Sequence, residues 1–248
     1  MTGRMQNKVV IITGGSSGLG RATAELMAAE GARVVIADVA DDSGRRVAKE
    51  IGAKFMQVDV SDAASVDALV NGVRQEYGRL DVMCNNAGVF LAAPIIDTTD
   101  AGFARTVAVN FGGCFNGTRA AGRVMAAQGS GVIINTASNG GSFVTEGMSV
   151  YCATKAAIIA LSKAASMELA PKGVRVNTIS PGTMLTGMVP PGEEVVKMLD
   201  KLQPIGYAAN PKLIAAGIMF LASDEAAYVA GTDLIIDGAA TAGHPIII

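Results

Sequence analysis

The chain has no tryptophan and only one histidine, His244, among its 248 residues. Catalysis by a Ser-His-Asp or Cys-His arrangement would therefore depend on that single histidine. Its three cysteines, Cys84, Cys114 and Cys152, lie far apart in the sequence and form no CxxC pair. A zinc site needs a denser set of cysteine and histidine ligands, so we expect no metal. The cysteines are expected to be reduced residues of the core.

Long apolar runs and clustered charges are also missing. No apolar stretch reaches the roughly 18 residues that a membrane-spanning helix needs, although the mean hydropathy is +0.38. The formal net charge is −2, with lysine and arginine scattered singly, which disfavours a nucleic-acid-binding surface. The polar residues 1–8 precede an apolar stretch that is too short for a secretory signal. We therefore expect a cytoplasmic protein with no membrane or nucleic-acid partner.

Short apolar, β-branched runs alternate with helical patterns along the whole sequence. Such runs are typical of strands that are buried on both faces of a parallel sheet. Repeated strand–helix–strand units predict an α/β fold, a Rossmann-like doubly wound parallel sheet of about seven strands with helices on both faces. The predicted strands cover residues 9–12, 34–37, 55–58, 80–84, 132–134, 174–179 and 234–236.

No linker, repeat or low-complexity segment divides this pattern, so we predict a single domain over residues 1–248. Residues 66–77 carry apolar side chains at helical spacing, with Ser61 or Asp62 as the candidate N-cap and Gly78 as the terminating residue. Residues 183–203 differ in composition, because proline, glycine and methionine are frequent there. We predict that this stretch forms a lid over the substrate.

The first predicted strand runs directly into a glycine-rich turn, residues 13–20 (TGGSSGLG), and a helix follows at once. Such glycines let the backbone turn tightly and approach a pyrophosphate at the helix N-terminus. A P-loop is disfavoured, because Arg21 and Ala22 stand where lysine and serine or threonine are required. Residues 14–18 also fit the GxSxG elbow of hydrolases, but only His244 is available as its base. A tight turn without a ligand is the remaining alternative.

Asp38 ends the second predicted strand, about 20 residues after the glycine turn. A carboxylate there can accept hydrogen bonds from the adenosine ribose, and it would repel a 2′-phosphate by roughly 1–3 kcal/mol per pair of unit charges. Gly15 and Val39 occupy the nearby positions where a basic residue would reverse this preference. Arg45 and Arg46 are expected to be solvated residues of a helix surface. The sequence thus favours NAD over NADP.

Polar residues also follow the third and fourth predicted strands. Asp59 and Val60 end the third strand, and residues 85–88 (Asn-Asn-Ala-Gly) end the fourth. Because the carboxyl ends of parallel strands converge on the ligand crevice, we expect these residues near the cofactor. Asp59 is equally compatible with an ordinary strand-end residue.

Tyr151 and Lys155 are spaced four residues apart on a predicted helix and therefore share one face. Lowering the pKa of a tyrosine from near 10 to about 7 requires roughly 4 kcal/mol. An ammonium at ~5 Å supplies approximately 3 kcal/mol at an effective dielectric of 20, so we expect Lys155 to make the phenol more acidic. Ser138 follows a predicted strand and can reach the same crevice. An isolated Tyr–Lys pair would indicate no more than a surface contact.

The combination of motifs resembles the short-chain dehydrogenase/reductase family over essentially the full length of the chain. The resemblance is carried by residues in family order and spacing: the turn 13–20, the tetrapeptide 85–88, Asn110, Ser138, Tyr151 with Lys155, and Pro181-Gly182 followed by Thr186.

This resemblance implies that Tyr151 is the general acid/base and that Ser138 orients the substrate. It also implies that Lys155 lowers the tyrosine pKa and holds the nicotinamide ribose, while Asn110 supports a water that links Lys155 to solvent. The implied cofactor is NAD, bound by Gly14, Ser17, Gly18, Leu19, Asp38, Asp59, Val60, Asn86, Ala87, Gly88, Tyr151, Lys155, Met184 and Thr186.

The expected reaction is hydride transfer between NAD(H) and a secondary alcohol or ketone. A mainly apolar set of residues is available for the substrate, which favours a moderately apolar one, although core or lid packing explains the same residues: Phe90, Phe143, Met148, Met184, Leu185, Met188 and Val189. A 3-oxoacyl-thioester reductase and a non-catalytic NAD-sensing protein are the alternatives. Family members are commonly homotetramers, and we expect the apolar residues 245–248 to pack on a neighbouring subunit.

Overall fold

The computed structural model describes residues 3–187, 192–201 and 203–243 of the chain. Its strands are β1 (Val9–Thr13), β2 (Arg33–Asp38), β3 (Lys54–Gln57), β4 (Val82–Asn85), β5 (Gly131–Thr136), β6 (Val174–Pro181) and β7 (Asp233–Ile236). Its α-helices are α1 (Gly18–Ala29), α2 (Asp41–Ile51), α3 (Ala63–Tyr77), α4 (Asp100–Thr106), α5 (Gly113–Gln128), α6 (Ser149–Leu169), α7 (Glu193–Lys201) and α8 (Pro211–Ala222).

The seven strands form one parallel sheet in the order β3-β2-β1-β4-β5-β6-β7. All seven predicted strands are present, with ends that differ by no more than two residues from those expected, and the predicted fold class is confirmed. The strand order reverses between β1 and β4. In a doubly wound sheet this reversal opens a crevice at the carboxyl ends of the strands, where ligands bind.

The central strand β1 is covered on both faces, as its continuous hydrophobicity predicts. Val10 and Ile12 belong to one core cluster, together with residues of α1 and α8. Val9 and Ile11 belong to the cluster on the opposite face, together with residues of α3 and α5. The two-residue repeat of a strand thus divides neighbouring side chains between two cores, which fixes the register of β1.

Helix α3 has the end signals that the sequence predicts. Asp62 is its N-cap, and the carboxylate accepts a hydrogen bond from the backbone N–H of Ala64 at 2.9 Å. At the other end Gly78 has φ 77°, a left-handed conformation that glycine adopts without the strain a Cβ would cause. Asp62, and not Ser61, therefore begins the helix.

The predicted lid is described in part. Met184 forms an isolated parallel bridge with Ala209, and the helix α7 follows farther along the chain. Residues 188–191 and 202 lie outside the described residues, as do residues 245–248, for which we predicted a subunit contact. The three cysteines are free thiols and are buried, as expected. Within the described ranges no helix is long and apolar enough to cross a membrane.

Candidate active site

The glycine turn between β1 and α1 has the conformation that its sequence predicts. Gly14 has φ 64° and Gly18 has φ 51°, both in the left-handed region. A Cβ on Gly20 would lie 2.2 Å from the carbonyl oxygen of Gly14. Helix α1 therefore packs so closely on the turn that only glycine fits at position 20. The N-terminus of α1 and its free N–H groups therefore face the crevice at the end of β1.

Asp38 is held in place at one end of the crevice. Its Oδ2 accepts hydrogen bonds from the Ser16 hydroxyl at 2.6 Å and from the Ser16 backbone N–H at 3.1 Å. Its Oδ1 accepts a third from the backbone N–H of Ala40 at 3.1 Å. Sequence reasoning considered Ser16 only as a hydrolase nucleophile. Its hydroxyl instead donates to a carboxylate, and the one possible base, His244, lies outside the described residues.

Thr13 connects the glycine turn with the segment after β4, a role that the sequence did not reveal. Its Oγ1 accepts hydrogen bonds from the backbone N–H groups of Asn86 and Ala87 at 3.0 and 3.1 Å. In return, the side-chain amide of Asn86 donates to the carbonyl oxygen of Thr13 at 3.1 Å. The two loops that flank the crevice are therefore tied together by polar contacts.

Lys155 is buried, with 4% of its surface exposed. Its ammonium donates a hydrogen bond to the carbonyl oxygen of Thr136, at the end of β5, at 2.9 Å. Burial disfavours the charged form and lowers the pKa of Lys155 to about 8. The Lys155 side chain, which is almost always charged in water, therefore loses its proton much closer to neutral pH.

Tyr151 differs from the expectation in one respect. Lys155 Nζ lies 5.6 Å from the centroid of the Tyr151 ring, yet the largest influence on the phenol is burial, which raises the pKa of Tyr151 above its usual value. A hydrogen bond with Ser138 acts in the opposite direction. In the protein by itself burial thus holds the pKa of Tyr151 above its usual value, and a lowering of that pKa by Lys155 with a bound oxidised nicotinamide stays a prediction.

Ser138 lies just beyond β5, where it caps a short 3₁₀ turn, Asn139–Gly141. Its Oγ accepts a hydrogen bond from the backbone N–H of Gly140 at 3.1 Å. This contact orients the hydroxyl, which lies close enough to Tyr151 to lower the pKa of the phenol. The structure therefore brings Ser138, Tyr151 and Lys155 together from two elements, β5 and α6.

Asn110 lies in a π-helical segment, Val107–Gly112. Its side-chain amide pairs with the backbone of Val89: the Oδ1 accepts from the N–H at 2.8 Å, and the Nδ2 donates to the carbonyl oxygen at 3.0 Å. The Nδ2 also lies 3.3 Å from the hydroxyl of Thr154, on α6.

These residues surround one cavity of about 710 Å³. Of the expected catalytic residues, Ser138, Tyr151 and Lys155 line it, while Asn110 is buried behind its wall. The cavity is also lined by every residue expected to bind the cofactor: Gly14, Ser17, Gly18, Leu19, Asp38, Asp59, Val60, Asn86, Ala87, Gly88, Tyr151, Lys155, Met184 and Thr186.

The cavity has two different ends. The carboxylate end is formed by Asp38 with Ser16, and the tyrosine end by Ser138, Tyr151 and Lys155. Between them lie the left-handed glycines of the turn, which let the backbone approach a ligand closely. An elongated molecule with ribose hydroxyls at one end and a phosphate-bearing centre fits this arrangement, as a nicotinamide dinucleotide does.

Comparison with known proteins agrees with this geometry. A family model described as enoyl-(acyl carrier protein) reductase matches residues 14–241. A 2,5-dichloro-2,5-cyclohexadiene-1,4-diol dehydrogenase from Sphingobium indicum is 42% identical over 98% of this chain and 100% of its own length. A D-threitol dehydrogenase from Mycolicibacterium smegmatis is 38% identical over 96% of this chain and 94% of its own length. The chain belongs to the short-chain dehydrogenase/reductase family.

A third relative, a 3-alpha-(or 20-beta)-hydroxysteroid dehydrogenase from Mycobacterium tuberculosis, is 37% identical over 98% of this chain and 93% of its own length. As a short-chain dehydrogenase/reductase, the protein is an oxidoreductase that acts on CH–OH groups and the matching ketones with a nicotinamide cofactor. The resemblance inferred from the motifs is thereby confirmed.

Several residues that line the cavity were missing from the predicted set. Besides Ser16, these include Val39, Ser61, Arg105 and Thr136. Thr136 contributes through its backbone carbonyl, and Arg105 belongs to α4, which is distant in sequence from the glycine turn. Only Val39 had a signal in the sequence, as the neighbour of Asp38, and it was considered there for cofactor preference alone.

Of the residues considered for substrate contact in this short-chain dehydrogenase/reductase, Phe90 lies at the tyrosine end. The ring of Phe90 packs against the ring of Tyr151, with centroids 5.2 Å apart and planes inclined by 69°. Phe143 is exposed, and Met184 lines the cavity. Met188 and Val189 lie outside the described residues.

Proposed function

We propose that the enzyme interconverts a moderately apolar secondary alcohol and its ketone, with NAD in preference to NADP. The observation that carries this proposal is the placement of Tyr151, Ser138 and Lys155 in the same cavity as Asp38. One cavity thus provides a proton-transferring group at one end and a carboxylate that selects the cofactor at the other.

In the proposed reaction, Tyr151 accepts the hydroxyl proton of the alcohol while the carbinol carbon loses hydrogen with its electron pair, and the C–O bond becomes a carbonyl. Ketone reduction is the reverse, with Tyr151 as the acid. When bound, the oxidised dinucleotide supplies the two-electron acceptor and a positive charge. Because burial raises the pKa of Tyr151 in the protein alone, a positive charge nearby would favour the phenolate that accepts the proton.

Ser138 and Lys155 assist Tyr151 in different ways. Ser138 is a neutral hydroxyl that lines the cavity beside Tyr151, so it can orient a substrate oxygen without competing for its proton. Lys155, fixed on Thr136, supplies a positive charge beside the ring and donors for ribose hydroxyls. Asn110 contributes by holding the backbone of Val89, at the edge of the same end.

The preference for NAD rests on the charges around the carboxylate end. Asp38 is fixed by three hydrogen bonds and faces the cavity, so an additional phosphate at that position would meet a negative charge. Arg45 and Arg46 are exposed and pair with Asp41 and Glu50 on their own helix. They do not line the cavity, so these two arginines do not offset the charge of Asp38 there.

Steady-state assays with a panel of secondary alcohols and ketones, each with NAD and with NADP, test the proposal. We expect turnover that is faster with NAD, and a loss of turnover in Tyr151→Phe. Binding of NAD without turnover on any member of the panel would instead support the non-catalytic alternative. A preference for NADPH with 3-oxoacyl thioesters would support the reductase alternative.

We also propose a homotetramer, as is common in the family. Phe103 on α4 and Phe115 on α5 are 53% and 41% exposed, which supports burial of these helices between subunits. Light scattering at micromolar protein concentration tests the proposal, and a monomeric mass would contradict it.

A further inference from the structure

Phe90 occupies a distinct position at the tyrosine end. Its ring packs edge-to-face on the ring of Tyr151, at a centroid distance of 5.2 Å, within the range that aromatic pairs prefer. It follows Val89, which lines the cavity, and it is not itself one of the lining residues. With 46% of its surface exposed, much of the ring is available to another molecule.

The backbone on both sides of Phe90 is fixed. Immediately before it, the N–H and carbonyl of Val89 are both bound by the Asn110 amide. Three residues after it, the N–H of Ala93 donates to the carbonyl oxygen of Gly147 at 2.8 Å. Because these two anchors lie so close in sequence, the ring has a defined place beside Tyr151 and needs little ordering when a ligand binds.

The two segments next to Tyr151 carry almost no charge. Residues 89–96 (VFLAAPII) contain no charged residue, and residues 139–148 (NGGSFVTEGM) contain only Glu146. The Ala93–Gly147 hydrogen bond joins these segments. Both also present exposed apolar side chains, among them Phe143, Val144, Ile95 and Ile96. A charged group that lies against these two segments would lose its hydration and would meet Glu146 as their one charged side chain.

From this placement we propose that Phe90 is a specificity-determining residue, which packs its ring against the apolar body of the substrate, and that the preferred substrates are alicyclic secondary alcohols. The inference rests on the proposed function, because it takes the reacting oxygen of the substrate to lie at Tyr151. A substrate bound there has its carbinol carbon one bond from that oxygen, and in this proposal the Phe90 ring beside Tyr151 contacts the atoms attached to that carbon.

An alicyclic body suits a fixed aromatic wall for two reasons. Its carbinol carbon is part of a compact ring, so apolar surface lies directly beside the reacting group, where Phe90 can cover it. It also has few rotatable bonds to immobilise on binding, whereas an open chain loses conformational freedom. Two of the relatives described above, by their names, act on a cyclohexadiene diol and on a hydroxysteroid, in agreement with this choice.

The test compares Phe90→Ala and Phe90→Leu with the wild-type protein, using cyclohexanol and propan-2-ol with NAD. We expect kcat/KM for cyclohexanol to fall about tenfold or more in Phe90→Ala, the range that lost contacts in an apolar pocket produce. Propan-2-ol, which has little surface to place on the ring, should change far less. Phe90→Leu keeps an apolar side chain, so its kcat/KM for cyclohexanol should lie between the values of the wild-type protein and Phe90→Ala.

Binding of cyclohexanone in the presence of NAD, followed by saturation-transfer NMR, provides a readout that does not depend on turnover. We expect binding by the wild-type protein and a weaker signal in Phe90→Ala. An equal loss for both alcohols would overturn the proposal, because Phe90 would then act on Tyr151 alone. The proposal would also be overturned if Phe90→Ala had an unchanged or higher kcat/KM for cyclohexanol and bound cyclohexanone as the wild-type protein does. A wild-type protein that binds cyclohexanone but oxidises neither alcohol would contradict the proposed function instead.

Discussion

The two ends of the cavity carry charges of opposite sign, and the surroundings of the two charges differ. At the carboxylate end, Asp38 accepts three hydrogen bonds from Ser16 and Ala40, so its negative charge is compensated before any ligand binds. At the tyrosine end, Lys155 is buried, donates to one backbone carbonyl, and forms no ion pair with any described residue. The first end supports the fold, whereas the second places an uncompensated charge where the proposed reaction needs it.

The largest expected effect is at the tyrosine end. Tyr151→Phe removes the group that accepts the proton but keeps the ring that packs on Phe90. We expect kcat for alcohol oxidation to fall about 10³-fold, as is usual when a general acid/base is lost. Calorimetric titration should show that the variant still binds NAD. Substantial remaining turnover would show that proton transfer does not take place at this end.

The second prediction concerns the cost of burying Lys155. Lowering its pKa from 10.5 to about 8 corresponds to about 3 kcal/mol of lost stability at neutral pH. Lys155→Met should therefore abolish turnover and yet raise the melting temperature at pH 7 by several degrees. The loss of the hydrogen bond to Thr136 offsets part of this gain.

The pH dependence of this effect has a defined sign. Below pH 8 the lysine is charged in both the folded and the unfolded protein, and the full cost of burial is present. As the pH rises from 8 to 10.5, the folded protein has already lost the proton and the cost disappears. The increase in melting temperature caused by Lys155→Met should therefore become smaller between pH 8 and pH 10.5. The control Lys163→Met, at an exposed lysine, should show no such trend.

The third prediction tests the carboxylate end. Asp38→Asn removes the negative charge but keeps an oxygen that can accept from Ser16. We expect the ratio of kcat/KM with NAD to kcat/KM with NADP to fall about tenfold, since a repulsion of roughly 1–3 kcal/mol is lost. Asp42→Asn, an exposed residue at the start of α2, is the matched control. An unchanged ratio would mean that Asp38 does not select the cofactor.

The smallest effect is expected for Ser16→Ala. It removes the 2.6 Å hydrogen bond to Asp38, and we expect a loss of about 1 kcal/mol in the free energy of unfolding, measured by urea denaturation. The control is Ser17→Ala, because the Ser17 side chain makes no capping hydrogen bond to α1. Equal effects of the two changes would argue that Ser16 does not support the carboxylate end.

The carboxylate end was largely predictable from the sequence because its parts follow consecutive strands. The glycine turn follows β1 and Asp38 ends β2, and parallel pairing places both at the same edge of the sheet. The contact of Ser16 with Asp38 was not foreseen, because a serine in a glycine-rich turn has several possible partners. Burial of β1 on both faces followed directly from its continuous apolar run.

At the tyrosine end the residues were predictable, but their environment was not. The spacing of Tyr151 and Lys155 placed them on one helical face, yet the pKa of each is governed by burial, which depends on elements far away in sequence. The π-helical turn around Asn110 and its pairing with Val89 also have no local signal, because 21 residues separate the partners.

The hydrogen bond between Ala93 and Gly147 is made by main-chain atoms, and this has a consequence for how the enzyme changes over time. Side chains along the two joined segments are replaceable without breaking the link, so the helix that carries Tyr151 keeps its position while the surface around it varies. Related enzymes can therefore diverge in the molecules they accept through single substitutions there, with the reaction itself left intact.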